Sequence, residues 1–386
     1  MRDGSSPEAV AILDELIQDA ERAGASDIHL EPKEHRLGVR FRVDGVLVGR
    51  RPYPLEKSSN ILARVKVLGG MDLAERRLPQ DGTFEVRVSG RAIAVRCSSF
   101  PTAHGEKMVL RLLPGGYSRP LARLGMRPDQ TPIVRRWVRA SSGLVLVTGP
   151  TGSGKTSTLY SCLTALDARS RNVMTLEDPI EVNLPDVTQG QVNPRIGFDF
   201  ARGLRHILRQ DPDVILVGEM RDQETAQIAL RASLTGHLVL STLHTTSAVA
   251  TLVRLLDMGL ERHVVAGALT GIVAQRLVRT VCQHCKVERS MERDRSEEFG
   301  FEIPPEAMLV DAPGCPHCMH TGFRGRAGLF DVVEVDDELR DLLRSGASRR
   351  QLKERLSQQA LPTVRRRGVE LALNGLTTLD EVLRVT

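Results

Sequence analysis

Eight consecutive residues, Gly149, Pro150, Thr151, Gly152, Ser153, Gly154, Lys155 and Thr156, satisfy the pattern GxxxxGK[ST] in full. The chemistry such a run supports is polyphosphate binding. Its glycines let backbone N–H groups turn inward onto phosphate oxygens. A helix starting there adds positive potential. Lys155 can reach β- and γ-phosphates, the Thr156 hydroxyl can ligate Mg²⁺, and Ser157 follows within the same loop-to-helix turn. The context agrees, because LVLVT reads as the strand before the run and residues 157–166 as the helix after it.

Three further segments offer chemistry of the same kind. DVILVGE, residues 213–219, is an apolar strand ending in a carboxylate. It is expected beside the phosphate loop, where Glu219 would polarise an attacking water directly or through Mg²⁺. Glu177, Asp178, Pro179, Ile180 and Glu181 follow another apolar strand. Adjacent carboxylates at a strand's C-terminal end sit where α/β proteins bind ligands. They either hold Mg²⁺ or orient water, or else serve turn and capping chemistry ahead of Pro179. TGHLVLSTLHT is a strand with a histidine at each end. His244 is placed to meet a γ-phosphate or the carboxylate of Glu219; a satisfied structural histidine is the other reading.

Six cysteines occur, four of them as Cys282/Cys285 and Cys315/Cys318 with 29 residues between the pairs. Paired CxxC in a reducing compartment reads as metal binding rather than as disulfides. Four thiolates suit a closed, structural Zn²⁺ site. His284, His317 and His320 are alternative ligands. Cys97 and Cys162 stand alone.

These residues need elements to hold them. Residues 7–23 carry apolar side chains at helical spacing. Strand patterns at 37–43 and 46–48 are split by Asp44-Gly45, a hairpin signal. A helix is expected over 58–68, strands over 83–88 and 92–98 around Ser89-Gly90, and another strand over 109–113. The run Pro114 to Pro120 breaks every pattern and reads as a linker. Beyond it, strands at 144–148, 173–176, 214–217 and 238–242 alternate with helical stretches, so a parallel sheet covered by helices is expected. The run Val264 to Val278 reads as a buried helix. From Glu338 onward the chain reads as helices.

Composition sets outer bounds. The chain has 386 residues, 41% apolar and 26% charged, enough for two or three domains. Aromatics are only 3%, so the cores rest on aliphatic residues. The net charge is +5, and 46 of the 53 cationic residues are arginine. The charges are interspersed and no aromatic–basic interleaving is seen, so no nucleic-acid partner is expected. No apolar run reaches the length of a membrane span and no signal peptide is read, so a cytoplasmic location is expected.

Taken together, TLEDPIE, ARGLRHILRQDPDVILVGEMRD and TGHLVLSTLHT resemble the Asp box, Walker B region and His box of the assembly ATPases of bacterial type II secretion and type IV pilus systems. ASDIHLEP, RFRVDG and LPQDGTFEVRVSGRAIAVR resemble the domain that precedes the motor in that family. The resemblance runs from Ala25 to Thr386. It implies an α/β protein with a RecA-like P-loop ATPase domain, a preceding small α/β (PAS-like) domain and a zinc-binding insert. On that pattern residues 1–113 form the N-terminal α/β domain and 114–120 the linker. Residues 121–386 form the ATPase domain, with a tetracysteine subdomain at 279–329 and a helical region at 336–386. The implied cofactors are ATP, Mg²⁺ and Zn²⁺. The implied catalytic residues are Glu219, Glu177 and His244, with Arg96, Arg111, Arg205, Arg209 and Arg221 around the γ-phosphate; Arg205 and Arg209, four apart, would share a helix face. The resemblance further implies a homo-hexamer with ATP between the two domains, facing a neighbouring subunit. Its partners would be an inner-membrane platform and the cytoplasmic domain of a membrane assembly protein, and it would sit peripherally at the inner membrane. Retraction ATPases of the family generally lack the tetracysteine element, so assembly or secretion is expected, with type II secretion ahead of pilus assembly. A DNA-transfer ATPase and a weakly catalytic scaffold are the competing classes. Family members usually carry one more N-terminal domain; here about 24 residues precede ASDIHLEP.

Overall fold

Apolar residues recurring from Ala9 to Ala20 form the buried face of helix α1 (Pro7–Arg22), opened by the Ser6 hydroxyl, which accepts from the Ala9 N–H at 3.2 Å. A computed structural model describes residues 6–114, 119–291, 294–304, 306–358 and 363–386. The expected linker falls partly at residues 115–118, which lie outside the described residues. The chain divides into two compact units: residues 1–117 with the short segment 315–321, and residues 118–314 with 322–386.

The first unit adds β1 (Ala25–Pro32), β2 (Arg36–Val43), β3 (Val46–Pro54), α2 (Ser58–Leu68), β4 (Gln80–Val88), β5 (Arg91–Thr102) and β6 (Gly105–Pro114). The strands pair antiparallel in the order β3-β2-β1-β6-β5-β4. Asp44 and Gly45 both have positive φ (50° and 85°), as do Ser89 and Gly90 (50° and 79°). That is the backbone a tight right-twisted hairpin requires, and it fixes both registers. Helices α1 and α2 share one core with the sheet, built on Leu13, Ile17, Ile61, Val65, Phe41 and Leu110.

The second unit opens with α3 (Gln130–Arg139), β7 (Gly143–Thr148), α4 (Lys155–Leu163), β8 (Val173–Glu177), β9 (Thr188–Gln191), α5 (Phe200–Ile207) and β10 (Val214–Val217). It continues with α6 (Gln223–Leu234), β11 (Leu238–Leu243), α7 (Ala248–Asp257), α8 (Arg262–Ala268), β12 (Leu269–Val281), β13 (Val287–Ser290), α9 (Ser296–Phe299) and β14 (Met308–Asp311). It closes with β15 (Phe323–Glu334), α10 (Asp337–Ser345), α11 (Arg349–Gln358), α12 (Val364–Leu373) and α13 (Leu379–Val385). Seven strands form one sheet in the order β15-β12-β7-β11-β10-β8-β9, parallel except for β15. Strands β7, β10 and β11 are buried at every position. This is the mark of a parallel sheet covered by helices on both faces.

One expectation is overturned here. Val264 to Val278 is not one buried helix. It is the short α8 followed by strand β12, which lies between β7 and β15. A strand covered on both faces shows no alternation, so its apolar run mimics a buried helix. The β-branched Ile272, Val273 and Val278 favour the extended form.

Helix α13 is tied to β12 by a carboxylate. Glu381, whose side chain is 0% exposed, accepts from the Arg279 N–H (2.9 Å), the Arg279 guanidinium (2.8 Å) and the Arg384 guanidinium (2.6 and 2.7 Å). The Arg279 guanidinium also stacks 4.0 Å from the Phe323 ring centroid. Burial alone would raise the Glu381 carboxyl, but hydrogen bonds from Arg384 and Arg279 outweigh it and hold the group below its ordinary 4.5. A depressed folded value means the stabilisation is complete above the unfolded value and is lost as pH falls through the folded one. Glu381→Gln is therefore expected to lower the unfolding free energy by about 3 kcal/mol at pH 7. In urea titrations the gap to wild type should narrow below about pH 4; a gap that stays constant with pH would mean that charge plays no part.

Candidate nucleotide and metal sites

The phosphate loop follows directly from the burial of β7. The strand ends at Thr148, and residues 149–154 carry the chain to α4, whose N-cap Gly154 is left-handed at φ 87° and offers no side-chain cap. The first-turn N–H groups of α4 are thus left for an anion. The Lys155 ammonium lies over the loop, donating to the carbonyls of Gly149 (2.9 Å) and Pro150 (3.1 Å). Burial, with a contribution from Arg276, lowers the Lys155 pKa, and Glu219 opposes this. Thr156 is half-buried beside it and Ser157 is exposed. The Ser153 hydroxyl is buried without a hydrogen-bond partner, so the cradle has polar capacity to spare. These features fit a bound polyphosphate.

Glu219 stands just past the C-terminal end of β10, its side chain 16% exposed. One oxygen lies 3.3 Å from His244 Nε2; the other is paired with the Arg221 guanidinium. Arg221 also faces Asp178 at 3.6 Å, and its hydrogen bond to Glu219 raises its pKa. Asp222 caps α6, accepting from the Thr225 N–H at 2.8 Å and the Thr225 hydroxyl at 2.9 Å, which fixes the backbone on the C-terminal side of Arg221. Strand β11, which is followed directly by His244, lies between β7 and β10. The sheet therefore delivers the loop, His244, Glu219 and Asp178 from successive strand ends along one edge.

Glu177 is placed differently. It is 3% exposed, and its carboxylate accepts from the Tyr160 hydroxyl, from Thr175 Oγ1 (2.6 Å) and from Gln189 Nε2 (3.0 Å). Tyr160 belongs to α4, so Glu177 fastens the helix behind the phosphate loop to the end of β8. Burial, then the bond to Glu177, raises the Tyr160 hydroxyl pKa well above its ordinary value.

The arginines divide into three groups. Arg221 is in the cluster just described. Arg205, on α5, pairs with Glu224 on α6. Arg209 lies past the end of α5, where its guanidinium donates to the Arg205 carbonyl at 3.0 Å and lies 2.6 Å from His206 Nδ1. The shared helix face expected for Arg205 and Arg209 stops short, because Asp211 is left-handed (φ 52°) and precedes Pro212, where a helix cannot continue. Arg96 and Arg111 are direct cross-strand partners on β5 and β6 of the first unit, and Arg111 is held by Asp27 at 2.9 Å.

Cys282, Cys285, Cys315 and Cys318 place their sulfurs within 4.8 Å of one another. Zn–S bonds of about 2.3 Å imply tetrahedral S···S edges of about 3.8 Å, and the Cys315–Cys318 separation is 3.8 Å. The Cys315 N–H donates to Cys318 Sγ at 3.2 Å, and the same sulfur lies 3.3 Å from the Cys315 carbonyl. The donor set thus fits a tetrahedral metal, and among the described residues these four cysteines are the metal-capable group. Cys97 and Cys162 are buried away from it, and burial pushes their thiols up to about 11 and about 12.

Two neighbours of the loop were not singled out as functional from sequence. Gln275 and Arg276, on β12, reach the loop and the segment after His244. The only signal of them was that a polar pair interrupts an apolar run.

A mainly parallel sheet that presents a phosphate loop, a carboxylate and a histidine along one edge defines a RecA-like P-loop ATPase. The sequence profile of the family described as "Type II/IV secretion system protein" matches residues 3–384, and the chain belongs to that family. The Type II secretion system ATPase E of Vibrio cholerae is 46% identical over 378 residues, spanning 98% of this chain and 75% of that protein. The Type IV pilus assembly ATPase TfpB of Acinetobacter baylyi is 44% identical, spanning 99% and 66%. Among solved structures, the pilus retraction motor PilT with bound ADP superposes with a TM-score of 0.65 at 28% identity, covering 97% of this chain and 96% of that one. The Legionella pneumophila ATPase DotB shares the fold, with a TM-score of 0.72 at 22% identity over 96% and 94%. The chain is an ATPase. Among the described residues, no helix is long and apolar enough to cross a membrane.

Proposed function

We propose that this ATPase powers type II protein secretion, driving the assembly of pilin-like subunits at the inner membrane. The observation that carries the reading is the 46% identity, along 98% of the chain, to a type II secretion ATPase. The tetracysteine cluster supports assembly over retraction.

ATP lies with its phosphates on residues 149–157, Lys155 leaving its loop carbonyls to meet them. Thr156 would hold Mg²⁺, which when bound neutralises phosphate charge. Glu219 polarises the attacking water, and His244 orients Glu219 and reports on the γ-phosphate. Glu177 supports the site by anchoring α4 through Tyr160. Arg205, Arg209, Arg221, Arg96 and Arg111 supply positive charge to the transferring phosphoryl group. The working form is a homo-hexamer, cytoplasmic and held at the inner membrane by a platform protein and a membrane assembly protein. The units are an N-terminal α/β domain and an ATPase domain joined at 114–120. Zn²⁺ on the four cysteines is structural, because no coordination position is left for a substrate.

A host strain deleted for this gene tests the reading. Secreted hydrolase activity should vanish from the medium and return with the wild-type gene but not with Glu219→Gln. Normal secretion together with lost surface pili would replace the proposal by pilus assembly. DNA-stimulated ATP hydrolysis that falls with salt would replace it by DNA transfer.

A further inference from the structure

We propose that Gln275 and Arg276 are positioning residues of the ATPase reaction, Gln275 setting the phosphate loop and Arg276 seating the segment that follows His244. The two are adjacent on β12, so their side chains leave opposite faces of the strand. Both are buried. Polar groups at such depth are retained only with partners, and here the partners belong to the nucleotide edge and to α13.

Gln275 Nε2 donates to the Ser153 carbonyl at 2.5 Å, and its Oε1 accepts from the Thr158 hydroxyl at 2.8 Å. One amide thus joins the loop to the helix that follows it. The fit is close enough to restrict the loop sequence. A Cβ on Gly149 would stand 2.5 Å from the Gln275 carbonyl oxygen, and one on Gly154 would stand 2.9 Å from its Nε2. Two of the loop's three glycines are therefore glycine partly because β12 presses against them.

Arg276 works on the other face. Its guanidinium donates to the Thr246 carbonyl (2.8 Å), two residues past His244, to the Val385 carbonyl at the end of α13 (3.2 Å) and to the Gln275 carbonyl (2.9 Å). A planar five-donor fork holds these three carbonyls in one fixed geometry, which a flexible three-donor ammonium matches only in part. The segment leading to Thr246 is held further from β7: Thr148 Oγ1 lies within donating distance of the Leu243 (3.1 Å) and Thr245 (2.9 Å) carbonyls. Movement of α13 thereby reaches the His244 segment through one side chain.

The two roles predict different kinetics. Gln275→Met keeps the length and loses both hydrogen bonds. Its KM for ATP should rise about ten-fold with kcat within about two-fold, since ground-state and transition-state phosphates are cradled alike. Arg276→Met should lower kcat about ten-fold at near wild-type KM, and Arg276→Lys should recover part of that loss. Steady-state phosphate release and fluorescent-nucleotide titration read these values, with melting temperature as the check on folding. If a Met variant does not fold, Gln275→Glu and Arg276→Lys carry the test with the same expected signatures. Wild-type kcat and KM, with only the melting temperature lowered, would reduce both residues to packing and overturn the proposal. So would a rise in KM for the Arg276 variants. The inference holds whichever machine the ATPase drives.

Discussion

Glu219→Gln will bind ATP as wild type does and hydrolyse it at least about a hundred-fold more slowly. Glutamine preserves the volume, its oxygen can still accept from Arg221 and its NH₂ can donate to a neutral His244 ring nitrogen, so the strand end and the loop should stay in place. The negative charge is what it loses. The cluster's neighbouring carboxylates are otherwise engaged: Asp178 is turned to Arg221, and Glu177 is buried against Tyr160, Thr175 and Gln189. Phosphate release measures the loss and nucleotide fluorescence confirms retained binding. Turnover within about three-fold of wild type would remove Glu219 from the reaction. His244→Ala should be milder, about ten-fold, because it withdraws a partner of the carboxylate rather than the carboxylate itself.

The second large effect concerns the metal. Purified chain should carry one Zn²⁺, and Cys318→Ser should lose it. Cys318 is buried, so an unliganded hydroxyl at that place cannot be rescued by solvent. Structural zinc contributes folding free energy outright. A loss of at least about 3 kcal/mol is expected, or roughly 6–12 °C in melting temperature for a domain of this size, together with new protease cleavage between residues 282 and 321. Elemental analysis and thermal melts decide it. A metal-free wild-type chain of unchanged stability would falsify the assignment. Cys162→Ser, distant from the cluster, should leave the zinc content unchanged.

What could be read in the sequence was what is local. The phosphate loop is eight contiguous residues whose types have a steric purpose, and Glu219 and His244 each end an apolar strand. The hairpins at Asp44-Gly45 and Ser89-Gly90 announce themselves by their turn residues. What escaped was whatever depends on pairing across the sheet. Strand β12 is covered on both faces and imitates a helix, so Gln275 and Arg276 looked like interruptions rather than contacts. Strand β1 was not read as a strand because Asp27, His29 and Glu31 are polar yet buried. The partner of Glu177 is a tyrosine 17 residues earlier in the chain, which no motif marks.

Arg221 has two carboxylates within reach, Glu219 on one strand end and Asp178 on the next. Giving up Glu219 therefore does not strand the guanidinium. It is 62% exposed and needs only a change of rotamer to exchange one anion for the other. Such exchanges take picoseconds to nanoseconds, whereas ATPases turn over on the scale of milliseconds to seconds. On the proposed role of Glu219, unmasking of its carboxylate is thus a pre-equilibrium that is complete many times over before each hydrolytic event, and the clock of this ATPase is set elsewhere in its cycle.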